Sequence, residues 1–88
     1  MDEDAPLLDL LWRLLADKGV ARDECSLLRS ENPEGYTIRG RASPTRQFVC
    51  LDDLQDAANG DAGKRDAVRQ AVRAWETAHR NATGRARP

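Results

Sequence analysis

The sequence predicts an α+β domain of order α-β-β-β-α-α, a three-stranded antiparallel sheet with helices packed on one face. Three observations predict it. A leucine-rich run ahead of Gly19 repeats at helical spacing, and an arginine-rich run after Gly63 does the same. Between them, Cys25 to Leu51 holds three short stretches divided by two clusters of turn residues. At 88 residues the chain fits a single domain. A chain this short buries only about 60% of the surface its unfolded form exposes. Residues 5–80 are expected to form the domain, with 1–4 a flexible acidic N-terminus and 81–88 a disordered basic tail.

The first helix is bounded by Asp4 as a cap, Pro6 in the first turn and Gly19 as the closing residue. Leu7, Leu8, Leu10, Leu11, Trp12, Leu14 and Leu15 spread over about 200° of its surface, wider than the ~100° stripe of a helix buried on one side. Leu10 and Trp12, at the rim of that arc, are therefore candidates for contact with a second copy or a partner protein. Residues 21–30 fit either a short helix or a strand; a strand is expected, since a lone two-stranded hairpin is marginal. It would point Cys25, Leu27 and Arg29 one way and Ser26, Leu28 and Ser30 the other. Glu31 to Gly35 is a turn.

In the second strand, Tyr36 to Arg41, alternation places Tyr36, Ile38 and Gly40 inward and Thr37, Arg39 and Arg41 outward. Ala42 to Thr45 reads as a hairpin loop. The third strand, Arg46 to Leu51, is expected to turn Phe48 and Cys50 inward, so that Tyr36, Ile38 and Phe48 line a face roofed by Leu11, Val68 and Trp75. Asp52 or Asp53 would cap a short helix ended by Asn59-Gly60. The last helix, from Gly63 or Lys64 to about Arg80, would bury Val68, Ala71, Val72, Trp75 and Ala78.

Net charge is −1, yet the charges are segregated. Residues 1–35 hold nine acids against four bases, and 51–63 hold four acids and no base. Residues 36–50 hold three arginines and no acid, and the last 25 hold seven bases against two acids. Two cysteines are too few for a disulfide scaffold. The first and third strands of a meander lie about 9.5 Å apart, beyond the ~7 Å that a disulfide spans, so Cys25 and Cys50 are expected to stay unpaired. An aspartate-rich start and a leucine run too short to span a membrane point to a cytoplasmic protein. The arginine, alanine and aspartate bias, with two lysines, hints at a bacterial or phage source.

No cofactor or metal ligand set is visible; the two cysteines and His79 are too widely spaced. His79, near the end of the last helix, is expected at or near the surface. A thiol enzyme built on Cys25 or Cys50 with His79 is the third reading only. Nucleic-acid binding is the second. The order helix, three strands, helix is similar to that of double-stranded-RNA-binding domains, and Gly63-Lys64-Arg65-Asp66-Ala67-Val68-Arg69-Gln70-Ala71-Val72 loosely resembles the start of their last helix. That resemblance implies phosphate contacts from Lys64, Arg65 and Arg69, joined here by Arg39, Arg41 and Arg46. It covers about ten residues and departs at Val68, in the absence of a histidine from the first hairpin turn, in the acidic first helix and in the acidic run before the last. No aromatic is expected among these arginines.

The first reading is a small non-enzymatic binding or regulatory protein, such as an inhibitor or adaptor, that is homodimeric and acts through protein–protein contacts. Its partner-binding residues are expected to be Leu10 and Trp12, with Arg39, Arg41 and Arg46 for polar recognition of carboxylates.

Overall fold

The computed structural model describes residues 5–83. The elements are α1 (Ala5–Asp17), β1 (Cys25–Glu31), β2 (Glu34–Gly40), β3 (Arg46–Cys50), α2 (Leu51–Ala58) and α3 (Ala62–Thr83). The sheet is an antiparallel meander in the order β1-β2-β3, as expected, and residues 25–31 are strand rather than helix. The expected cap Asp4 lies outside the described residues, as do 1–4 generally and 84–88. Residues 81–83, assigned above to a tail, belong to α3, because its helical hydrogen bonding runs on past Arg80.

Helix ends follow from local chemistry. At the end of α1, Val20 N–H donates to Leu15 O (3.0 Å) and Gly19 N–H to Ala16 O (2.9 Å). This paired closure needs a left-handed residue, and Gly19 supplies it with φ +78°. Val20, buried, packs beyond it. The end of α2 repeats the pattern, with Asp61 N–H on Asp56 O, Gly60 N–H on Ala57 O and Gly60 at φ +102°. The start of α2 differs from expectation. Its N-cap is Cys50, without a side-chain hydrogen bond, and Asp52 and Asp53 sit inside the first turn, where the helix dipole favours them. The start of α3 is capped by Asp61, whose Oδ1 accepts from Lys64 N–H at 3.0 Å.

β1 and β2 meet through a two-residue turn, Asn32–Pro33, whose peptide bond is cis. Ser30 Oγ donates to Pro33 O at 2.8 Å. In the second hairpin Gly40 N–H donates to Thr45 O (3.0 Å), and Arg39 faces Arg46. That register sets Tyr36 opposite Val49 and Thr37 opposite Phe48. Facing residues of an antiparallel pair share a side of the sheet. Val49 is therefore buried beside Tyr36 and Ile38, and Phe48 points outward, 37% exposed. This reverses the expected facing of the third strand.

The inner side of the sheet is covered by α2 and α3, and α1 packs chiefly against those two helices. The core joins Leu7, Leu11, Leu14 and Leu15 of α1 to Ile38, Val49, Leu54, Val68, Val72 and Trp75. On α3, His79 takes the inward place expected of Ala78, which is exposed. Its ring stacks on Trp75 with centroids 4.6 Å apart, and Trp75 Nε1 donates to Thr45 O at 3.2 Å. No described helix is long and apolar enough to cross a membrane.

Candidate functional site on the open sheet face

With the helices on one side, the other side of the sheet lies uncovered by any described element. Strand register arranges it in rows: Ser30, Gly35 and Cys50; then Leu28, Thr37 and Phe48; then Ser26, Arg39 and Arg46. Leu28 (44% exposed) and Phe48 are the large apolar side chains left exposed among the described residues. The Phe48 ring lies over Gly35, where a Cβ would stand 2.7 Å from its Cζ and closer still to the backbone oxygen of Val49, so only glycine fits there. The ring thus rests against the backbone at Gly35.

Beside this apolar row stand Arg39 and Arg46, directly opposite each other and both exposed. Like charges facing across strands cost stability. No ion pair among the described residues relieves them, and none of the nine residues in the three rows is a carboxylate. Arg41, one residue past β2, reaches across so that its Nε donates to Cys25 O at 3.4 Å. Ser26, Leu28, Arg39, Gly40 and Arg41 line a shallow groove of about 420 Å³. The surface is therefore an apolar strip flanked by the uncompensated guanidinium groups of Arg39 and Arg46, with Arg41 at its end beside Asp23 and Glu24.

Other expected site residues lie elsewhere. Leu10 and Trp12 are half-buried against the core, and the Arg22 guanidinium sits 4.9 Å above the Trp12 ring. The over-wide leucine arc is mostly accounted for by packing. Lys64, Arg65 and Arg69 lie on α3, on the helical side of the sheet. Lys64 Nζ is 2.9 Å from Asp53 Oδ1, and that hydrogen bond raises its pKa further above the ordinary lysine value. Arg65 donates to Ala57 O at 3.2 Å, and Arg69 is exposed. The sheet separates this set from Arg39 and Arg46, so one flat ligand cannot meet both.

Compared with known protein families, curated proteins and solved structures, the chain matches none.

His79 is buried, contrary to expectation, with its side chain 3% exposed. Its Nδ1 shares a hydrogen bond with Ser43 Oγ (2.8 Å), and its Nε2 lies 3.6 Å from Glu24 Oε1. The other Glu24 oxygen accepts from Ala21 N–H at 2.9 Å. Hydroxyl, imidazole and carboxylate here fasten α3 to the hairpin loop and to the turn before β1, which is what buried polar groups require. Both cysteines are free, and they oppose different ends of β2. Burial pushes the Cys25 thiol up from 9.0 to about 11, with Glu24 adding to the rise and Arg41 opposing it. A nucleophilic cysteine needs the opposite shift. Among the described residues no three metal-ligating side chains converge.

Sequence reasoning missed Leu28 and Phe48 as exposed residues, and with them an aromatic among the arginines. The signal existed in the length of the second hairpin loop. It also missed the Ser43–His79–Glu24 cluster, whose first and last members sit in turns that carry no periodicity.

Proposed function

We propose that the chain is a small non-enzymatic binding protein, regulatory in role, that docks a partner protein on the open face of its sheet. The partner contributes carboxylates to Arg39 and Arg46 and an apolar side chain to the strip of Leu28 and Phe48. One observation carries the reading: two arginines face each other beside an exposed aromatic, in rows of the sheet that hold no carboxylate. A bound acid relieves the like-charge cost, and guanidinium groups take carboxylates in paired hydrogen bonds. The aromatic supplies the desolvated centre that binding hot spots share.

Peptide display on the immobilised domain tests this. Selected peptides are expected to carry Asp or Glu next to an aromatic or aliphatic residue. Arg39→Ala and Phe48→Ser should each weaken the best peptide roughly tenfold. Peptides that bind both variants unchanged would remove the reading.

A second reading is favoured by the position of Phe48 among arginines, a pairing that single-stranded nucleic acids use for stacking and phosphate contact. It requires single-stranded oligonucleotides to bind with steep salt dependence and to lose affinity in the same two variants. Lys64→Ala and Arg69→Ala, on the other side of the sheet, should leave that binding intact. Absence of binding at low salt ends this alternative.

A further inference from the structure

We infer that the outer edge of β1 pairs with β1 of a second copy of this chain, antiparallel about a two-fold axis at Leu28. β1 has β2 on one side and, among the described residues, no strand on the other. Its packing within the described residues is chiefly against β2. The bond from Arg41 N–H to Glu24 O sets the alternation of the ladder. Ser26, Leu28 and Ser30 then exchange hydrogen bonds with β2, and Leu27 between them turns its N–H and C=O to the outer edge. Natural edge strands are blunted by proline, lysine or a bulge. The seven residues of β1 hold no proline and no lysine, and they pair with β2 in unbroken register. Its two charges, Arg29 and Glu31, are of opposite sign, and Arg41 Nε, on Cys25 O, would have to release it for the pairing to run the full strand.

Charge selects the register. With the axis at Leu28, Leu27 faces Arg29 of the second copy, Ser26 faces Ser30 and Cys25 faces Glu31, so no like charges oppose. Moving the axis to Arg29 sets two arginines against each other. Moving it to Leu27 brings Glu31 opposite Asp23. The Leu28 axis also joins two copies of the row Leu28, Thr37 and Phe48 into one strip across six strands, covering the most exposed large apolar side chain of the sheet. A small domain gains from such added burial.

The intact chain without any partner is the test object, so its outcome is independent of the docking proposal above. Light scattering after size exclusion should give twice the chain mass. Leu28→Lys, which sets two ammonium groups at the axis and touches no core residue, should give the single mass with an unchanged circular dichroism spectrum and melting temperature. Leu28→Cys should oxidise to a covalent dimer, since non-hydrogen-bonded pairs hold their Cα atoms about 4.5 Å apart. Ser26→Cys, about four residue rises from its own copy, should not. A wild-type chain of single mass overturns the inference. So does a dimer that survives Leu28→Lys, or one lost instead by Trp12→Ala.

Discussion

Val49 and Phe48 are neighbours in the chain on opposite sides of the sheet, and the two positions should respond to substitution in opposite ways. Val49→Ala removes two buried methyl groups and is expected to cost about 2 kcal/mol of stability in denaturant melts while leaving partner binding intact. Phe48→Ser should change stability by about 1 kcal/mol or less and weaken the selected peptide roughly tenfold. The distinction was legible in the sequence but was misread. A loop of Ala42 to Thr45 would set Arg41 opposite Arg46 and Ile38 opposite Val49. The actual register is two residues over, with Arg39 opposite Arg46 and Tyr36 opposite Val49, and both put Val49 on the side of Tyr36 and Ile38. Hydrophobicity alone preferred Phe48 for the interior; the parity of the loop decides the side. Cys25 offers a second residue-level test. Its folded pKa of about 11 exceeds the ordinary 9.0, so between those values the unfolded chain releases a proton that the folded chain keeps. Stability is then full below about pH 9 and falls as pH rises towards 11. Melting temperatures of wild type and Cys25→Ala should diverge less across that window than below it, because the variant lacks this loss.

At the scale of elements, the helices were the most legible parts because their apolar residues repeat at 3.6 and their ends carry Gly19 and Asn59-Gly60. Their starts were read less well. Asp61 looked like the last member of an acidic run, yet it is the side chain that accepts the Lys64 N–H. Asp61→Ala should therefore lower the urea midpoint by the equivalent of about 1 kcal/mol with an unchanged slope. Asp52→Ala, which loses only a dipole contact in the first turn of α2, should cost less. The inward turn of His79 was hidden for a related reason. A histidine near a helix end has a ready surface explanation, and the partners that make burial tolerable, Ser43 and Glu24, are 36 and 55 residues away in sequence.

For the molecule as a whole, all helical mass of the described residues lies on one side of the sheet, and no described element covers the apolar strip and arginines of the other. Segregated charge was visible in the sequence, but its meaning was not. The basic residues of β2 and β3 and those of α3 form two surfaces divided by the sheet, and only topology reveals the division. The proposed docking face and the proposed pairing edge share Leu28, so a second copy paired at β1 would lengthen the strip open to a partner, while the pairing itself needs no partner.

Arg80 closes the fold. Its guanidinium donates to Lys18 O at 2.9 Å across a separation of 62 residues, and it also pairs with Glu76. Trp75 and His79 come from the same stretch of α3. A ribosome must therefore have delivered all of α3 before the N-terminal helix meets its last anchor, which makes that contact a late event in the birth of this domain.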